Sequence, residues 1–230
     1  MNEAKLDTSA VFEKLFAVYR DQFTIFVPAA LIIFVPVALL QALAVGTGGF
    51  GFFVLGSILS IIGSFLLQGV VVEAVRDIQD GRRDLSLGDL FRSVRPVLGM
   101  LIGAGILAAL GIMVGLILLI VPGLLLLTWW ALTSPVVVIE RPGVTAALGR
   151  SRALVRGNGW RVFGVIVVLF IIEAVLNAVI SAIFGGDTFA GALIAGVLSS
   201  ALVAPLTGIA AAVVYLELRR LKGEAPVPAA

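Results

Sequence analysis

Histidine and cysteine are both missing from these 230 residues. Without cysteine there is no disulfide and no thiol nucleophile, and the redox compartment stays open. Without histidine, imidazole metal ligands, Ser-His and Cys-His pairs and histidine acid–base chemistry fall away together. Charge is scarce as well: 13% of residues are Asp, Glu, Lys or Arg against 60% hydrophobic, and the mean hydropathy is +1.16. An ordinary soluble domain carries about twice that charge. No stretch alternates apolar and polar residues in the manner of barrel strands, so any spans must be helices.

What is present is apolar sequence in long blocks. We place six spans at 22–45, 51–75, 97–120, 122–139, 162–184 and 189–216. Each is at or above the length of about 18 residues needed to cross a ~30 Å hydrocarbon core. Little chain remains for a separate domain, so residues 1–222 form one six-span unit and 223–230 a disordered tail. Ala42-Leu43-Ala44 looks like a signal-peptide cleavage site. However, 21 residues with four acidic side chains precede the first block, which is itself too long for a signal sequence. We read that block as a retained span.

The basic residues fix an orientation. Residues 1–21 hold three, 76–96 five, 141–161 five and the tail three, which accounts for all sixteen. With six spans these four segments share one side, and the positive-inside rule makes that side cytoplasmic together with both termini. The pI near 9.4 is explained by this placement and calls for no nucleic-acid partner.

Three short amphipathic pieces precede the three hairpins. The first follows Thr8 or Ser9 as cap, with Val11, Phe12, Leu15, Val18 and Tyr19 on one face. Ser86 caps the second, with Asp89 at capping-box spacing, and Pro96 ends it. The third lies between Glu140-Arg141-Pro142-Gly143 and Trp160-Arg161. Its stripe is Val144, Ala147, Leu148, Leu154 and Val155, with Ser151 the one polar member and Arg150, Arg152 and Arg156 at the flanks. This pattern predicts a helix lying flat in the headgroup layer, apolar side toward lipid and guanidinium groups toward phosphates. Helix–helix contacts are marked by small residues: Gly56, Ser60 and Ser64 leading to Gln68, and the ladder Ala192, Gly196, Ser200, Ala204, Gly208 and Ala212. That ladder predicts a central last span or contact with a second copy. Trp129 and Trp130 are read as packing inside the bundle, and Trp160, Tyr19 and Tyr215 as an interfacial belt.

Several of these stretches resemble the bacterial membrane domain family named for glycerophosphoryl diester phosphodiesterases. They are Val121-Pro122-Gly123, Ser134-Pro135-Val136-Val137-Val138-Ile139-Glu140, Ala147-Leu148-Gly149-Arg150-Ser151, Leu154-Val155-Arg156-Gly157 with Trp160-Arg161, and Tyr215-Leu216-Glu217-Leu218-Arg219. The resemblance implies a polytopic protein of a bacterial plasma membrane. It does not imply hydrolysis, because the chain carries no phosphodiesterase barrel and none of the histidines that such a barrel uses.

Two groups of residues are candidates for function. Glu173 is the one acidic residue deep in a span, with Asn177 and Ser181 following at four-residue steps. Together with Gln68 they are the intramembrane polar set, suited to a proton, a cation or a lipid headgroup, or to holding helices together. Arg150, Arg152, Arg156, Arg161 and Trp160 are the headgroup set, each basic group contributing ~1 kcal/mol near an anionic surface. No phosphate loop, metal cluster or nucleophile constellation is present, so neither cofactor nor metal is expected. The sequence therefore supports a non-enzymatic membrane protein that organises anionic phospholipids or partner proteins, a second copy of itself among them. The alternative is a small transporter or channel that uses the polar stripe of span 5.

Overall fold

The computed structural model describes residues 5–79, 85–184 and 188–225. All its regular elements among them are helices. They run α1 Thr8–Asp21, α2 Phe23–Thr47, α3 Phe50–Gln79, α4 Leu87–Val94, α5 Leu98–Leu118, α6 Ile120–Trp129, α7 Thr133–Glu140, α8 Val144–Val155, α9 Gly159–Phe184, α10 Phe189–Leu202 and α11 Ala204–Leu221. Six stretches are long and apolar enough to cross a membrane: Phe23–Thr47, Phe50–Ile78, Leu87–Leu118, Ile120–Glu140, Gly159–Phe184 and Phe189–Leu221. The protein is a six-span helical membrane protein, with α1, α4 and α8 each leading into a hairpin. Arg82 and Arg83 and the last five residues of the tail lie outside the described residues.

The caps of the amphipathic helices follow local chemistry. Asp7, rather than Thr8 or Ser9, caps α1: its carboxylate accepts from the Ser9 and Ala10 N–H groups at 3.0 and 3.3 Å. A charged acceptor one residue earlier satisfies two free donors at once, which a hydroxyl does less well. Ser86 and Asp89 form the expected capping box on α4. Pro96 does not separate α4 from α5; it sits in a single 3-10 turn, Arg95–Val97, that joins them.

Two spans are broken, and both breaks sit beside a proline. Span 4 stops at Trp129 and restarts at Thr133, with Pro135 in the first turn of α7. Span 6 stops at Leu202 and restarts at Ala204, with Pro205 at the second position of α11. Proline has no N–H to give the preceding turn and is favoured where a helix begins. The backbone groups freed at each break are met by a hydroxyl from an amphipathic helix. Ser151 of α8 donates to the Trp129 carbonyl at 2.7 Å and accepts from the Leu132 N–H at 3.1 Å. Tyr19 of α1 donates to the Leu202 carbonyl at 3.0 Å, and the Leu206 N–H turns to Val203.

This changes the reading of α8. Ala147, Ser151, Leu154 and Val155 are fully buried and Leu148 nearly so, all within the chain itself. The apolar stripe faces α5, α6, α7 and α11 instead of lipid. Tyr215 likewise leaves the proposed interfacial belt: it is fully buried, and its hydroxyl donates to Glu140 at 2.8 Å.

The packed core lies at the end of the bundle where the basic segments gather. It is built from Leu6, Val11 and Leu15, the run Val70–Val75, Leu90 and Val94, the α8 stripe and Leu206–Leu218. Glu73 is buried within it, 3.4 Å from Arg76 and 3.9 Å from Arg141. At the opposite end large apolar side chains stand open: Phe50, Ile117, Leu118, Leu119 and Ile120 are each at least two-thirds exposed. In water such a surface would aggregate; in hydrocarbon it costs nothing. The small-residue ladder of span 6 is used inside the chain. Gly196 on α10 faces Ala38 of α2, and Gly208 on α11 lies against Val71 and Gln68 of α3.

Candidate functional site

The headgroup set divides into three environments. Arg150 is held within the protein: its Nε donates to Glu140 at 2.8 Å and its Nη2 to Glu224. Arg219 donates to the same Glu224 oxygen at 2.9 Å and to the Tyr215 hydroxyl at 3.2 Å, and Tyr215 in turn reaches Glu140. The result is a closed ring that ties the end of α7, the middle of α8 and the residue three past α11. The two carboxylates beside it raise the Arg150 pKa above its ordinary value. Hydrogen bonding from Arg150 holds the Glu224 carboxyl below its usual range. Arg156 is exposed where α8 ends.

Arg161 and Trp160 line a groove between α6 and the start of α9, and Arg152 stands against Trp129, another of its lining residues. The Arg152 guanidinium lies 4.1 Å from the centre of the Trp129 ring, a cation–π contact. Arg161 opens α9 and donates through one nitrogen to the Leu6 carbonyl. Asn158, between Gly157 and Gly159, accepts from the Leu6 N–H at 2.9 Å, so the chain ahead of α1 is pinned to the start of α9. Lys5 is brought to the groove by that contact. Trp160 is 85% exposed and meets Phe163 edge to face at 5.9 Å. The groove encloses about 600 Å³. Val121, Leu124, Leu125 and Phe163 form its apolar wall, and Lys5, Asn158 and Arg161 stand at one end with Trp129 and Trp160. A cavity of this size, with Asn158 and Arg161 meeting at Leu6 and mostly apolar side chains, with Thr128, along the rest of its lining, suits an amphiphile.

The intramembrane set is more dispersed. Gln68 accepts a hydrogen bond from the Ser134 hydroxyl at the crossing of α3 and α7, and so holds two spans together. Glu173 accepts from the Thr207 hydroxyl of α11. Asn177 turns its amide to the Glu173 backbone carbonyl at 2.8 Å, and Ser181 is exposed farther along α9. The three α9 residues share a face but make no continuous polar path. Among the described residues no three acidic side chains gather where they could hold a metal ion.

Over 103 residues the chain is 33% identical to a UPF0259 membrane protein of Pectobacterium carotovorum. It is similar to a bacterial membrane protein. The matched stretch covers 45% of this chain and 41% of that relative, so the likeness spans about two-fifths of the relative's length. No family model and no solved structure matches the chain.

Sequence reasoning missed Lys5, Trp129 and Asn158 at the groove, and Glu140, Tyr215 and Glu224 in the ring. Asn158 had a visible signal, a polar residue between two glycines just ahead of Trp160-Arg161. Lys5 had none, because it reaches the groove through the contact of its neighbour Leu6 with Asn158, 152 residues away in sequence; Glu224 lies five residues from Arg219, but its bond to Arg150 crosses 74 residues and no local pattern marks it.

Proposed function

We propose that this protein binds an anionic phospholipid in the groove between α6 and α9 and has no enzymatic activity. The supporting observation is the groove's division into an apolar wall and a cationic end. Acyl chain packs on Val121, Leu124, Leu125 and Phe163, while the phosphate meets Lys5, Arg161 and the Asn158 amide. Arg152 stands over Trp129 within reach of the same end. In this reading the basic end faces the cytoplasm of a bacterial plasma membrane, where anionic lipid supplies ~1 kcal/mol per nearby basic side chain. The stretches that resemble the glycerophosphoryl diester phosphodiesterase membrane domain family include the groove residues Val121, Trp160 and Arg161, which fits a lipid-facing role.

The test is native mass spectrometry of the purified protein after exposure to phosphatidylglycerol, wild type beside a Lys5→Gln, Arg152→Gln, Arg161→Gln variant. Wild type should retain about one lipid per chain and the variant should lose most of it. Equal retention by the two proteins would reject the groove as the site. Phosphatidylcholine serves as the neutral comparison and should be retained poorly by both.

A further inference from the structure

A second groove lies on another face of α9, bounded by α6 and α11, and encloses about 220 Å³. Its walls are Leu127, Ala131, Leu169, Phe170 and Ala211, and among the described residues its only charged lining residue is Glu173. The Thr207 hydroxyl donates to one carboxylate oxygen, and the Asn177 amide is occupied with backbone. No lysine or arginine lines the groove; the next basic residue along α9 is Arg161, three turns away.

We propose that this groove is a binding site for a lipophilic monovalent cation, such as an alkyl- or benzyl-substituted quaternary ammonium. Charge and solvation select the ligand. An ionised carboxylate among apolar side chains at hydrocarbon depth is costly unless it takes up a proton or a positive charge is brought to it, so a bound cation competes with the proton for Glu173. An inorganic cation would need about six oxygen ligands, and the lining offers a carboxylate and one hydroxyl. A quaternary ammonium needs no ligand oxygens. It carries its own apolar shell, which packs on the leucines, and its charge favours the carboxylate. Selectivity follows from the same features: an anion is repelled by Glu173, and a neutral molecule gains only the apolar contact. This site is separate from the phospholipid groove, has the opposite charge preference and does not depend on it.

The experiment is calorimetric titration of the protein in nanodiscs with benzyltrimethylammonium, wild type beside Glu173→Gln. Glutamine keeps the shape and can still accept from Thr207. Wild type should bind saturably at one per chain, and Glu173→Gln should bind at least tenfold more weakly with an unchanged unfolding midpoint. A second measurement uses wild type alone, so it does not depend on the variant folding. The apolar reagent dicyclohexylcarbodiimide should modify Glu173, and saturating benzyltrimethylammonium should slow that modification severalfold. Absence of saturable binding, equal affinity in Glu173→Gln, or modification unaffected by the cation would each overturn the proposal. Retention of phosphatidylglycerol by wild type and Glu173→Gln should be the same, which separates failure here from failure of the phospholipid groove.

Discussion

Replacing Ser151 with alanine tests whether α8 holds the broken span 4 together. The hydroxyl serves two backbone groups at once, the Trp129 carbonyl at 2.7 Å and the Leu132 N–H at 3.1 Å, and Ser151 has no exposed surface. No water replaces it without opening the contact between α8 and the break. Leaving one buried backbone group unpaired costs about 1–3 kcal/mol, so two, after some relaxation, cost about 3 kcal/mol. For a chain of this length that corresponds to a fall of roughly 6–12 °C in unfolding midpoint. Thermal unfolding in mild detergent, followed by intrinsic tryptophan fluorescence, reads it directly because Trp129 and Trp130 flank the break. The comparison is Ser93→Ala, whose hydroxyl donates only to Leu90 in its own helix, and which should lower the midpoint by a couple of degrees at most. Equal midpoints for the two variants would refute the reasoning, since the span would then tolerate the break without Ser151.

Tyr19→Phe removes the corresponding hydroxyl from the Leu202 carbonyl and should cost about 1 kcal/mol; a midpoint equal to wild type would show that span 6 has another partner at its break. Gly123→Ala would place a Cβ 2.6 Å from the Leu116 backbone nitrogen. The α5–α6 hairpin must then spread, at about 1–3 kcal/mol, and an unfolding midpoint within a degree of wild type would contradict that close approach. The ring around Glu224 predicts a pH dependence. Arg150 lowers the folded-state pKa of Glu224, so the tie is fully present above the ordinary glutamate value of ~4.3 and is lost as pH falls through the lower folded value. A spin label on Ala225→Cys, the only thiol in the chain, should remain restrained at pH 7 and 5 and become mobile only below about pH 4. Mobility unchanged down to pH 3, or already high at pH 6, would disprove the tie.

The spans were legible because hydropathy and length act along the chain, with no need of a partner. The described span ends lie within a few residues of the block edges, and α1, α4 and α8 stand where the amphipathic period puts them. The stripe of α8 was equally clear, but periodicity says only that one face is apolar. Whether that face meets lipid or protein depends on what the rest of the chain brings to it. Ser151 was the clue: a hydroxyl in the centre of an apolar stripe wants a buried partner, and lipid has none. The two breaks were also marked, by Ser134-Pro135 and Ala204-Pro205, yet hydropathy averages over a single proline. The headgroup arginines carry the same charge in sequence. Only the fold separates Arg150, held between Glu140 and Glu224, from Arg161 at the groove and Arg152 stacked on Trp129 beside it.

The two hydroxyls that close the broken spans reach them over very different lengths of chain, and this sets an order of assembly. Ser151 follows the break in span 4 by about twenty residues, so that span can be completed almost as soon as it enters the bilayer. The break in span 6 is closed by Tyr19, from a helix more than 180 residues earlier. While five spans are synthesised and inserted, α1 must wait without its partner, and span 6, when it arrives, remains unfinished until α1 docks across it. The helix ahead of span 1 and the break in span 6 therefore complete each other. Removal of α1 should leave all six spans in place but the Leu202 carbonyl without the Tyr19 hydroxyl.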